Sequence, residues 1–299
     1  MKVFVTGGSG YVGRAVVSVL IERGVEVSAL ARSEASAKVL AGLGAAPVAG
    51  SLRDTSVLYE GARAADGVVH LGQHSGPDTA AVDLAAASAL ADGAGPRPYV
   101  HTGGSWVYGD TVGVAHEGTA MTPPAITAWR LENERAVLQR AATGERPVVV
   151  QPGLVYGRCV HAVEGGERTP VSLIESFYAA PGRAAGAVPC IGDGSNHWSL
   201  VHVDDLAALY VLALSAQAGA VYLGVGEPAV TAGQVAQAVS RAIGHPGSVR
   251  HLTQQQAVEQ MGPIAGAFAL DQQLTSAKAR RELGWAPVHA DPLEELARG

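Results

Sequence analysis

The chain has 299 residues, 47% of them hydrophobic and 16% charged, with a formal net charge of −6. So much apolar material supports a large buried core, as one big domain or a domain with a smaller appendage, and argues against disorder. The acidic balance and the lack of any Lys/Arg run exclude nucleic acid and anionic membrane as main partners. No window approaches ~18 uninterrupted apolar residues, which excludes a spanning helix.

The N-terminus starts directly on the strand-like KVFVT, without the basic and apolar regions of a signal peptide, so a soluble cytoplasmic protein is expected. Short β-rich runs then alternate with Ala/Leu-rich helical patterns. Strands are predicted at 2–6, 25–30, 46–50, 67–71, 97–102 and 147–151, and helices near 11–23, 33–43, 55–64, 78–92 and 125–143. Nearly all-apolar strands alternating with helices predict an α/β fold, a doubly wound parallel sheet covered on both faces. Such sheets bind ligands at the carboxyl ends of their strands.

After about residue 152 the rhythm changes. EGGERTP and PGRAAGAVPCIGDGSNHW surround one short helix near 170–180. SLVHV (199–203) and a helix from Asp204 resume the earlier style, and helices near 231–243 and 252–260 precede SAKARRELGW. Cys159 and Cys190 have neither metal nor disulfide-framework spacing and read as free thiols in a reducing compartment, so no metal is expected.

VTGGSGYVGRAVVSVLIERG is the strongest local signal. Gly7, Gly10 and Gly13 fall between the first strand and the first helix, with Ser9, Tyr11 and Val12 among them. Glycine there permits a tight turn and close backbone approach to a pyrophosphate, and the helix N-terminus supplies N–H groups and a positive dipole. The next strand selects the nucleotide. A free ribose 2′-hydroxyl calls for Asp or Glu about 20 residues beyond the loop, but the chain has Ala31 followed by Arg32 and Ser33, with Glu34 past the strand end. A guanidinium with a hydroxyl beside it suits a 2′-phosphate, so NADP(H) is expected over NAD(H).

Seven segments in order, TGGSGYVG (6–13), GSLRD (50–54), VVHLG (68–72), HTGGSWVYGD (101–110), QPGLVYGR (151–158), SLVHVDDLAALYVLAL (199–214) and KARRELGWAP (278–287), give the chain its family likeness. It resembles the short-chain dehydrogenase/reductase superfamily, on the extended side that includes NAD-dependent sugar-nucleotide epimerases and dehydratases. The resemblance implies a Rossmann domain of residues 1–155, with 196–225 returning to it, and a smaller substrate lobe of 156–195 and 226–299. It implies that Leu52 touches adenine, that Leu71, Gly72 and Gln73 pass near ribose and nicotinamide, and that Thr102 ends its strand beside the nicotinamide. Pro152, Gly153, Leu154 and Val155 would form the wall under the carboxamide.

The family's chemistry uses a Tyr and a Lys four residues later on one helix. The matching helix is PPAITAWRLENERAVL (123–138), expected from Ala125 onward, and the matching positions are Ile126 and Arg130. Glu134 continues the same i, i+4, i+8 stripe. Isoleucine transfers no proton; arginine holds ribose hydroxyls but is a poor acid or base. The slot of the assisting Ser/Thr falls on Gly104, flanked by Thr102 and Ser105, and Tyr108 is a further candidate hydroxyl. Trp106 reads as a pocket wall and His74 as a substrate contact. His101 is expected on the strand face opposite Thr102, and Asp204 and Asp205 after His202 are expected to cap the helix that follows. Gln151 stands where relatives often carry arginine, and Arg158, Arg168 and Arg183 are the basic residues available to the second lobe.

The expected function is an NADP(H)-dependent oxidoreductase acting on a small carbonyl or alcohol, with water, Thr102, Ser105 or a substrate group providing the proton. Alternatives are a redox-neutral epimerase, dehydratase or cyclase on the same scaffold, and a non-catalytic dinucleotide-sensing protein. By analogy with dimeric relatives, the Ala-rich helices near 78–92 and 125–143 are candidates for a homodimer interface.

Overall fold

The computed structural model describes residues 1–158, 171–226 and 228–299. In the first half, strands β1 (Lys2–Thr6), β2 (Glu26–Ala31), β3 (Ala46–Ala49), β4 (Gly67–His70) and β5 (Pro98–Thr102) alternate with helices. Those helices are α1 (Tyr11–Glu22), α2 (Glu34–Gly42), α3 (Thr55–Arg63) and α4 (Thr79–Ala94). A short β6 (Val114–Ala115) precedes α5 (Ala128–Gln139), β7 (Arg146–Pro152) and β8 (Leu154–Tyr156). Further on come α6 (Ala180–Ala185), β9 (Val188–Ile191), β10 (His197–Trp198), β11 (Leu200–His202), α7 (Val203–Ala213) and β12 (Val221–Gly224).

Seven of these strands form one parallel sheet in the order β12-β7-β5-β4-β1-β2-β3. Alternation along each strand sorts the side chains onto two faces. Val3, Val5, Val69, Val100, Val148 and Val150 pack with α1 and α7, whereas Phe4, Val68, Tyr99 and Val149 pack with Leu58, Leu90 and Val137 of α3, α4 and α5. The chain leaves β1 toward β2 on one side and returns as β4 on the other, so the crevice between the two halves opens at the carboxyl ends of β1 and β4.

A second core gathers Leu154, Tyr156, Ile174, Val188, Leu200 and Val235 around an aromatic cluster. In that cluster Tyr178 meets Trp198 and Phe268 edge-on and Trp198 meets Phe268 at a tilt, with ring centroids 5.2 to 5.6 Å apart. Helices α8 (Ala232–Ala242) and α9 (Pro292–Arg298) pack together at its edge. Among the described residues no helix is long and apolar enough to cross a membrane.

Two local expectations change. The helix expected from Ala125 begins at Ala128: the Pro124 carbonyl accepts from both Thr127 N and Ala128 N, making a turn that leaves Ile126 outside the helix. The stripe of Ile126, Arg130 and Glu134 is therefore held by the helix only at its last two members. The N-cap of α7 is His202, whose Nδ1 accepts from Asp204 N. Asp205 instead accepts from Val288 N, His289 N and His289 Nδ1, pinning the C-terminal segment onto α7.

Candidate active site at the strand ends

Gly7 takes φ +72°, and a Cβ there would lie 2.6 Å from the Leu71 carbonyl carbon. A Cβ on Gly13 would collide with Gly7 O, so α1 sits directly on the loop. At Gly10 a Cβ would meet only Gly7 O, at 3.1 Å, and would otherwise stand in open space. No side chain caps α1, so its positive end and its first-turn N–H groups face whatever lies over the loop. The Tyr11 hydroxyl donates to Gly157 O at 2.6 Å, tying the loop to the end of β8. Gly72 N donates to Thr6 Oγ1 at 3.2 Å, and the Leu52 side chain packs on Gly72.

At the end of β2, Arg32 is exposed. Ser33 is the N-cap of α2, and its Oγ accepts from Ser36 N at 3.1 Å in a reciprocal capping box.

A chain of polar groups fills the ends of β5 and β7. Thr102 Oγ1 donates to His70 O at 2.7 Å and accepts from the Tyr210 hydroxyl at 2.9 Å. Arg130 Nη1 donates to Thr102 O at 3.3 Å, and its guanidinium lies 4.6 Å from the Trp129 ring centre. A Cβ on Gly104 would stand 3.3 Å from Arg130 Cδ, so the arginine stem covers that slot. Below it Glu134, 2% exposed, accepts from Gly104 N at 3.1 Å and from Gln151 Nε2 at 2.7 Å. Gln151 Oε1 in turn accepts from the Tyr108 hydroxyl at 3.0 Å. Burial pushes the Glu134 carboxyl up to about 7, opposed by the Gln151 hydrogen bond, Arg130 and the Gly104 N–H. Burial likewise raises the Tyr108 and Tyr210 phenols. Ser105 Oγ has no hydrogen-bond partner among the described residues, while Ser105 O accepts from Gln272 Nε2.

Behind this row His70 and His101 lie side by side, both 1% exposed, with ring centres 5.4 Å apart. His70 Nδ1 bonds Thr6 Oγ1 at 2.5 Å and His101 Nδ1 bonds the Tyr99 hydroxyl at 2.9 Å. Both Nε2 atoms are buried without a partner; the Asp83 carboxylate, held by Asn133 at 2.8 Å, is 3.9 Å from that of His70. Burial lowers His70 to about 4, and burial with His70 and Arg130 nearby lowers His101 well below the usual histidine range.

The model of the NAD dependent epimerase/dehydratase family matches residues 3–223. The chain belongs to that family. An uncharacterized protein of Saccharomyces cerevisiae is 31% identical over 99% of this chain and 98% of its own length. A 4-hydroxy-2-methyl-3-oxo-4-farnesyl-3,4-dihydroquinoline-1-oxide ketoreductase of Stigmatella aurantiaca is 32% identical over 52% of this chain and 51% of its own. Among solved structures, the UDP-glucose 4-epimerase of Thermus thermophilus in complex with NAD superposes with a TM-score of 0.79, at 21% identity, covering 99% of this chain and 97% of that one.

In this family member, the glycine loop, Thr102, Gly104, Arg130 and Pro152 to Val155 lie at the carboxyl ends of β1, β5 and β7 and just beyond them. His74 is at the rim, where its Nε2 is 3.0 Å from Asp78 Oδ1 and 3.2 Å from Arg53 Nη2. Trp106 packs edge-on against Phe268 of the second core, with ring centres 5.7 Å apart. Arg158 and Arg183 line a cavity of about 800 Å³ that borders the glycine loop at Tyr11 and also has His202 and Glu295 in its wall; Cys159 and Arg168 lie outside the described residues. Sequence reasoning missed the Glu134–Gln151–Tyr108 chain, the Tyr210 contact and the buried Asp83. The available signal was polar residues at core positions, in VVHLG, YVHT and VVVQ.

Proposed function

We propose that this protein is an NADP(H)-dependent oxidoreductase of a small carbonyl or alcohol, with Arg130 holding the cofactor ribose in place of the usual lysine. The residues fit a dinucleotide: Gly7 and Gly13 leave no room for a Cβ, Gly10 is bare, and α1 is uncapped. Exposed Arg32 at the end of β2 supports the 2′-phosphate form. When bound, the nicotinamide would donate or accept hydride.

The observation that carries the reading is Arg130 reaching across Gly104 to Thr102 O. It brings a fork of N–H donors to the position where the resemblance expects lysine. Ile126, in the turn before α5, offers no proton in place of tyrosine. Thr102 Oγ1 already donates to His70 O, and Tyr108 donates to Gln151. Ser105, whose hydroxyl is unengaged, is then the residue that orients the substrate oxygen, with water completing the proton path.

Calorimetric titration of NADPH and NADH tests this. NADPH should bind at least tenfold tighter, Arg32→Ala should reduce that preference, and Arg130→Ala should weaken both. Transfer of deuterium from labelled NADPH to members of a carbonyl panel should follow. Binding of neither nucleotide would remove the oxidoreductase reading. A second reading, a redox-neutral epimerase, is supported by UDP-glucose 4-epimerase of Streptomyces lividans, 27% identical over 97% of this chain and 92% of its own. Inversion of a carbinol carbon in the substrate, with its carbon-bound hydrogen retained and no net cofactor change, would favour it.

A further inference from the structure

Gln272 is 4% exposed, and its side chain is tied to a turn 163 to 167 residues earlier in the chain. Its Nε2 donates to Gly109 O at 2.8 Å and to Ser105 O at 3.0 Å. Those carbonyls belong to the first residue of the turn Ser105–Tyr108 and to its C-cap. An amide nitrogen has two N–H donors, and here each is spent on one end of the turn.

Gln272 is itself held. Its backbone N donates to His197 O at 2.9 Å, and its O accepts from Ser199 Oγ at 3.2 Å. Leu274 N donates to the same hydroxyl at 2.9 Å. On either side, Thr111 N donates to Asp271 O at 2.9 Å, and Gln273 and Leu274 pair with β6. The buried amide therefore reaches the turn from a fixed base.

The polar groups around the turn are nearly all engaged. Gly104 N goes to Glu134 and the Tyr108 hydroxyl to Gln151. The Ser105 hydroxyl alone among these is unpartnered within the described residues, and it is not sealed from water although the residue is 4% exposed. A serine hydroxyl swings about one bond, so the backbone that carries its Cβ decides where it can point.

We infer that Gln272 is the positioning residue for Ser105: by pinning the carbonyls at both ends of the turn, it holds the free hydroxyl at the crevice. The inference rests on the Ser105 role proposed above. Without the amide both carbonyls lose their donor and the turn can shift, and a misplacement of about 1 Å costs on the order of a hundredfold in rate.

The test uses four variants. Gln272→Met keeps the volume and loses the donors, and Gln272→Asn keeps an amide one methylene shorter. Ser105→Ala and the Gln272→Met/Ser105→Ala double variant complete the set. In ligand-free protein labelled with 5-fluorotryptophan, the Trp106 fluorine resonance is assigned by its loss in Trp106→Phe. It should shift or broaden in Gln272→Met while those of Trp129 and Trp285 stay. With NADPH and the same carbonyl panel, Gln272→Met should lower kcat at least tenfold, with the NADPH Kd within about twofold, and Gln272→Asn should recover part of the loss. Ser105→Ala should lose at least as much, and the double variant should match Ser105→Ala within about twofold. Gln272→Asn carries both readouts if the methionine variant does not fold. An unmoved Trp106 resonance in both Gln272 variants, or multiplied losses in the double variant, overturns the positioning role and leaves the Ser105 reading standing. An unchanged kcat in Ser105→Ala, or a wild type that binds NADPH and reduces no member of the panel, overturns both.

Discussion

Gln151 Nε2 donates to Glu134 Oε2 across 2.7 Å, joining the end of β7 to the middle of α5 inside the protein. The same carboxylate takes the Gly104 N–H, so one side chain fixes both walls of the crevice. Glu134→Ala leaves the buried Gln151 amide and the half-buried Gly104 N–H without an acceptor, and a buried orphan costs about 1–3 kcal/mol. The urea midpoint should fall clearly; an unchanged midpoint would show that solvent reaches the pair.

The ionisation of that carboxyl has a definite sign. Its folded pKa, about 7, is raised above the unfolded value near 4.5, so the folded state binds the extra proton. Its stabilising contribution is complete below about pH 4.5 and is lost as pH rises through about 7. A carbon-13-labelled glutamate resonance titrating near neutrality, absent in Glu134→Ala, is the expected signature.

His70 titrates in the opposite sense. Its folded pKa, about 4, lies below the unfolded value near 6.5, so the unfolded chain takes the proton first. Stability is lost as pH falls from about 6.5 toward 4, by up to about 3 kcal/mol for this one ring. In His70→Gln that slope should flatten, measured by urea unfolding at pH 7, 6 and 5; parallel curves for variant and wild type would contradict the assignment.

Gly10 and Gly13 separate folding from binding. Gly13→Ala drives a methyl into Gly7 O and should lower both the melting temperature and nucleotide affinity. Gly10→Ala meets little protein, so the melting temperature should change by only a few degrees while nucleotide binding is abolished. Equal binding loss with equal destabilisation in both variants would mean that the bare surface at Gly10 is not the anion site.

Gly104→Ser adds a side chain where Arg130 Cδ stands 3.3 Å from the Cβ position. Crowding the stem should pull the guanidinium off Thr102 O and weaken NADPH and NADH together, by about tenfold. Restored or improved affinity would place the ribose contact elsewhere.

The sheet was legible because apolar strands of four to seven residues alternate with helices at regular spacing, and Gly7, Gly10 and Gly13 mark their first junction. The start of α5 was not legible. Pro123 and Pro124 fit a first helical turn equally well as a turn outside it, and the two hydrogen bonds to Pro124 O decide the matter. Asp205 read as a cap because Asp at a helix start usually is one; its three partners come from Val288 and His289, over 80 residues away in sequence. The Glu134–Gln151–Tyr108 chain was hidden for the same reason: each residue has an ordinary local role, and only the sheet brings them together.

The strand order also bears on synthesis. β1 to β5 and β7 lie within the first 152 residues, and only β12 of the main sheet comes later. Val221 follows Pro152 by 221 − 152 = 69 residues, which a ribosome adds in roughly 3–14 s. For that interval the nascent sheet is complete except along β7, whose unpaired backbone and buried-to-be Gln151 form the open edge. That open edge is the strand whose far end later lines the crevice, so the site's wall is in place before its outer neighbour exists.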